Sequence, residues 1–214
     1  MLDKKDVETI RDDLSRYDEV REEILGLSRE AVRMSGSSIL EIHRGDLKEA
    51  RTTLGRVEKT LDRIGELCRD FSEFRTSAGV VVAFQEFVEA TTLRTFVDSN
   101  KIPSLQEAGG DPRSYMLGLL DAIGEFRRVT LNMLRKGDVE RAEGILGMME
   151  GIYEDLQGLN HTSIIPTFRV KMDAARRIIE STRGDVVTEA RRYSLEQALD
   201  RLGKRLEIGR KARR

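Results

Sequence analysis

The chain of 214 residues has one cysteine, three prolines, two histidines, no tryptophan and 5% aromatic residues. A single cysteine, Cys68, rules out an intramolecular disulfide framework and a cysteine-rich zinc site, and fits a reducing compartment. With only His43 and His161, a histidine-rich metal site would need a partner subunit. No run of about 18 apolar residues is present to span a bilayer, and the N-terminal Met1–Asp6 stretch lacks the apolar core of a signal peptide. The expectation is a soluble, cytoplasmic protein that engages no membrane. Neither sign of charge dominates: 37 Lys and Arg face 38 Asp and Glu, for a formal charge of −1. The molecule as a whole does not advertise a polyanion partner, so any nucleic-acid site must be local. Also absent are a Gly-x-Ser-x-Gly elbow, a phosphate loop ending in Gly-Lys-Ser/Thr, a His-Glu-x-x-His zinc motif and a dinucleotide fingerprint.

What is there is helix. Proline falls only at Pro103, Pro112 and Pro166, leaving long stretches in which apolar residues recur every three or four positions. Ile10, Leu14, Tyr17, Ile24, Leu27, Ala31, Met34 and Ile42 predict a first helix from near Asp6 to His43, broken at Arg44-Gly45-Asp46, with Asp46 capping the next. Leu47, Leu54, Val57, Leu61, Ile64 and Leu67 predict a second helix over 46–71. A third spans 77–98, apolar nearly all round in its first half despite its β-branched valines. Asp111-Pro112 supplies an N-cap and a first-turn proline for a fourth, ending near Gly137. Helices at 138–157, 164–182 and 188–209 complete about seven, the last two parted at Gly184. No linker separates domains, so the pattern predicts one all-α domain over 1–214, an antiparallel helical array with a basic tail from about Lys204.

Two acids stand out. Glu86 and Glu89 lie three apart on the third helix and emerge from the same side, in a sector that also carries Val82, Leu93, Phe96 and Val97. An ionised carboxylate buried in such a stripe needs compensation. Salt bridges from arginines of adjacent helices supply it, or a hard cation does; clustered oxygen ligands suit Mg²⁺ or Mn²⁺. On the fourth helix, Asp121, Glu125, Arg128 and Asn132 form a polar stripe, which reads either as more of the same site or as a solvated face. Glu154 and Asp155 follow Tyr153 near the end of the fifth helix, where an acid projects into a cleft or into water.

These residues resemble the translin family. The likeness spans Val20 to Gly184. Leu27-Ser28-Arg29 through His43-Arg44 is similar to the family's LSR segment ending in HR. Gln85-Glu86-Phe87-Val88-Glu89-Ala90 is similar to QEYVEA of its catalytic branch, translin-associated factor X. Tyr115-Met116-Leu117-Gly118, Gly124-Glu125, Arg128, Asn132 and Gly137-Asp138 follow the family's YLLG, GE, R, N, GD order. Translin itself has an apolar residue where this chain has Glu86, so Glu86 argues for the catalytic branch.

The resemblance implies a seven-helix domain, assembly into a homo-oligomeric, octameric shell that encloses RNA, and Mg²⁺-dependent endoribonuclease activity. It implies catalytic and metal-binding roles for Glu86, Glu89 and Glu154, and Glu125 is expected as a further ligand. Glu154 stands where relatives have Asp, with Asp155 adjacent, so either supplies the third acid. Arg29, Arg33 and Arg128 are expected RNA contacts, although Gly36-Ser37 replaces a basic pair on the first helix. The alternatives are a translin-like shell that holds RNA or single-stranded DNA without cutting it, and a helical scaffold for other proteins.

Overall fold

The first helix, α1 (Lys4–Arg44), is closed by a residue that tolerates left-handed backbone. Gly45 sits at φ 88°; its N–H donates to the Ile42 carbonyl at 3.0 Å and the Asp46 N–H donates to Glu41 at 2.9 Å. The chain thus reverses into α2 (Leu47–Asp70), and a 3-10 helix (Ser72–Thr76) leads into α3 (Ala78–Ser99). Asp46 occupies the N-cap position of α2 as expected, but its side chain makes no capping bond. After a loop come α4 (Pro112–Arg135), α5 (Val139–Gln157) and α6 (Phe168–Lys211). This computed structural model describes residues 2–109, 111–159, 165 and 167–211, with side chains as far as Lys204; His161 and the expected helix start at Ile164 lie outside the described residues.

Six α-helices and no strand occur among the described residues, which is the expected all-α class. The expected break at Gly184 is absent: α6 runs through it as one helix of 44 residues. A glycine costs a helix interior only about 1 kcal/mol, and burial of Ile179, Thr182 and Val186 on either side offsets that.

The chain forms two compact units, Met1–Ala122 and Ile123–Arg214, the division falling within α4. In the first unit, α1 lies along both α2 and α3. Its packed face uses small residues, with Ser28, Ala31, Ser35 and Ser38 all buried beside Ile24, Ile39 and Ile42. The opposing face of α2 contributes Leu54, Val57, Leu61 and Ile64, as its periodicity predicts. The first third of α1 departs from expectation. Ile10 and Leu14 are more than half exposed and Tyr17 is 37% exposed, because no described element of the chain packs against that part of the helix beyond Phe71 and Phe74, which meet the Tyr17 ring.

In the second unit, α5 packs on the first half of α6, which buries Phe168, Met172, Ala175, Ile179, Thr182 and Val186 at alternating steps of four and three. Arg127 of α4 donates to the Thr182 hydroxyl at 2.9 Å and meets Asp185 at 2.9 Å. Further along α6, Leu195, Leu199 and Leu202 are all more than half exposed, repeating every three or four residues.

Candidate functional site

α3 is the most enclosed helix of the first unit. Val80, Ala83, Gln85, Phe87, Val88, Ala90, Thr91, Thr92, Leu93 and Phe96 are buried, so contact surrounds it on nearly every side. Glu86 and Glu89 lie in a sector that still reaches the surface: both are half-buried, and Val82, one turn before Glu86, is 41% exposed. The sector is therefore less apolar in its setting than the sequence suggests. Leu93 and Phe96 are in the core, whereas Val82 and the acids border an open face. Half-burial lowers the cost of keeping both carboxylates charged.

The rotation of α3 is set from the residue next to Glu86. The buried Gln85 amide donates to an Asp121 carboxylate oxygen of α4 at 2.6 Å. Gly118, one turn earlier on α4, lies against α3 so closely that an added Cβ would stand 2.6 Å from Cβ of Val88 and 2.7 Å from the Gln85 carbonyl oxygen. Contact at Gly118 and the Gln85–Asp121 bond together fix which way Glu86 and Glu89 point. Asp121, expected in a polar stripe with Glu125 and Arg128, thus bonds to the buried face of α3.

In the second unit, Glu125 is half-buried and lies 4.0 Å from the exposed Arg128 guanidinium, at the edge of ion-pair range. Glu154 is exposed and lines a groove of about 240 Å³ between α5 and α6, with Tyr153, Glu150, Arg176 and Arg183. Arg183 holds Glu150 through two bonds of 2.8 and 3.0 Å. Asp155 is exposed and does not line that groove. Arg127, Arg176 and Arg183 are not among the residues singled out from the sequence; for the last two, the interleaving of arginine with acidic residues along α6 was the available signal.

Arg29 and Arg33 lie one turn apart on an exposed face of α1, where the Arg29 Nε donates to the Leu25 carbonyl at 3.2 Å. His43 is half-buried at the end of α1. Among the described residues, no three His, Cys, Asp or Glu side chains gather as a metal-binding group. The Glu86–Glu89 pair nevertheless suits Mg²⁺, which typically takes one or two carboxylates and fills its remaining positions with water and substrate phosphate. No helix among the described residues is long and apolar enough to cross a membrane.

An all-helical protein carrying an acidic pair on the open side of an otherwise enclosed helix is the class these features define. A family model described as the translin family matches residues 18–181, and the chain belongs to that family. It is 36% identical over 198 residues to an uncharacterized protein of Methanocaldococcus jannaschii, covering 92% of this chain and 86% of that protein. Among solved structures it is similar to apo-NeC3PO, with a TM-score of 0.78 and 26% identity over 88% of this chain and 98% of that one. It is also similar to AfC3PO in complex with duplex RNA, with a TM-score of 0.74 and 29% identity over 86% and 96% of the two chains.

Proposed function

We propose that this chain is a Mg²⁺-dependent endoribonuclease nearer to the catalytic branch of the family than to translin, working as a homo-oligomeric, octameric shell around RNA. The observation that carries the reading is the placement of Glu86 beside Glu89, half-buried on a sector of α3 that reaches the surface. The AfC3PO complex with duplex RNA supports RNA as the ligand. Exposed apolar rows at Ile10 and Leu14, and at Leu195, Leu199 and Leu202, support assembly, since a single chain leaves them uncovered.

In this reading Glu86 and Glu89 hold the metal, with Mn²⁺ as a substitute, and Glu154 and Glu125 join the set by the motif match. The bound ion would polarise the scissile phosphate and lower the pKa of a coordinated water. Gln85, through its bond to Asp121, keeps the acid pair turned toward substrate. Arg29, Arg33 and Arg128 meet backbone phosphates, which fixes register without reading bases.

The test is cleavage of labelled single- and double-stranded RNA with Mg²⁺ or EDTA, beside Glu86→Gln and Glu89→Gln. Cleavage abolished by EDTA and by each substitution supports the mechanism, while cleavage that survives them overturns it. RNA or single-stranded DNA retained without cleavage by the unaltered chain would establish a binding protein instead.

A further inference from the structure

Behind α3, on the side away from the acid pair, the first unit contains a cavity of about 860 Å³. It lies where the C-terminal end of α2, the 3-10 helix, the beginning of α3 and the start of α4 come together. Val80, Val81 and Phe84 line it from α3. At about 100° per residue these lie roughly half a turn around the helix from Glu86 and Glu89, so the cavity is separate from the proposed cleavage site.

Its walls divide by chemistry. Ile64, Cys68 and Val80 form a buried apolar floor, with the half-exposed Phe84 ring beside them. Three arginines from three different elements are among its lining residues: Arg69 of α2, Arg75 of the 3-10 helix and Arg113 of α4. Among the described residues Arg69, Arg75 and Arg113 have no ion pair, in common with Arg29 and Arg33 of α1 and unlike Arg51, Arg63 and Arg94, which are bridged to carboxylates. Asp62 and Asp111 also line the cavity, and Asp111 is occupied in accepting the Ser114 N–H at 2.8 Å at the head of α4. The Ser72 hydroxyl adds a further donor, while that of Thr76 donates to the Glu73 carbonyl at 3.5 Å.

We propose that this cavity binds a phosphate monoester carried on a flat apolar body, a ligand of mononucleotide size. The volume falls in the range of roughly 300–1,000 Å³ usual for small-ligand pockets, which pair an apolar lining with a few polar groups. Unpaired guanidiniums are the groups best matched to phosphate oxygens, which they bind through two parallel hydrogen bonds. Three arginines lining one enclosed volume suit a single phosphate, whereas an extended backbone would need a track.

Calorimetric titration of the full chain tests this with adenosine monophosphate and phenyl phosphate, against inorganic phosphate and adenosine as half-ligands. Saturable binding of both monoesters is expected, with each half-ligand at least about tenfold weaker, since each lacks one of the two contact types. Arg75→Gln combined with Arg113→Gln, both exposed in the free protein, should weaken the monoesters at least roughly tenfold while leaving the thermal midpoint in place. No saturation at millimolar concentration, or unchanged affinity in the double variant, overturns the proposal. So does loss of binding in Glu86→Gln, which would put the ligand on the acid face. Displacement of adenosine monophosphate by RNA with a 5′-phosphate but not a 5′-hydroxyl would identify an RNA end as the source of the monoester, and displacement by neither a free small molecule; equal displacement by both would mark a backbone site and overturn it.

Discussion

Gly118 of α4 touches Val88 of α3 at a point where the two helices have no room for a side chain: a Cβ there would lie 2.6 Å from Cβ of Val88. The neighbouring obstacle, the Gln85 carbonyl oxygen at 2.7 Å, is backbone and cannot swing aside. Gly118→Ala should therefore push the helices apart and cost about 1–3 kcal/mol, despite alanine's better helix propensity. The thermal midpoint should fall by roughly 2–4 °C for each kcal/mol lost. A midpoint unchanged or raised would show that the helices reseat freely.

The Gln85–Asp121 bond predicts a milder, more specific defect. Gln85→Leu removes the donor and leaves a carboxylate oxygen without its 2.6 Å partner, at an expected cost of about 1–3 kcal/mol. Because Gln85 is adjacent to Glu86, RNA cleavage should also fall, with RNA retention little changed. Equal losses in cleavage and retention would mean the bond serves stability alone.

The groove around Glu154 separates two candidate acids. Glu154→Gln should reduce Mg²⁺-dependent cleavage more than the 10- to 100-fold typical of an outer-shell group, while Asp155→Asn, outside the groove, should change it less than about tenfold. The reverse ranking in single-turnover rates would move the third acid to Asp155.

Arg127 predicts a structural loss without a catalytic signature. It bonds to Thr182 and Asp185 of α6, and Arg127→Ala should cost about 1–3 kcal/mol by leaving those partners unmatched. Chemical denaturation would show a lower midpoint, and cleavage per folded molecule should stay the same.

Stability should decline on the alkaline side. Burial raises the Cys68 thiol above its ordinary value of 9.0, and burial likewise raises the Tyr115 phenol above 10.0, with Glu107 adding to it. A folded pKa above the unfolded one means the folded state keeps protons that the unfolded state releases. The contribution is complete below the unfolded pKa and is lost as pH rises through the folded one. Denaturation midpoints measured from pH 8 to 11 should fall from about pH 9 upward, and Cys68→Ser with Tyr115→Phe should flatten that fall. Tyr115 also donates to the Pro103 carbonyl at 2.7 Å, so its ionisation should loosen the loop before α4.

The sequence by itself determined the helices and the acids worth examining. Scarce proline, apolar residues at helical spacing, and the Gly45 and Asp111-Pro112 signals place five of the helices within a few residues of their ends, because those signals act within a turn or two of the chain. It also set Glu86 and Glu89 on one side of one helix, which needs only the helical repeat. Only the tertiary structure decided the rest. Whether Ile10 and Leu195 are buried depends on what lies opposite them, and periodicity records an apolar face without naming its partner. Gly184 reads locally as a break, yet packing on both sides carries α6 through it. In the sequence Asp121 reads either as part of the acidic site or as a solvated face; in the structure it accepts a hydrogen bond from Gln85, 36 residues away. The same holds for the acid pair: its chemistry was written in the sequence, but its half-buried position on the open side of α3 depends on how α3 is turned, and that is set by Gly118 and Asp121 from another helix.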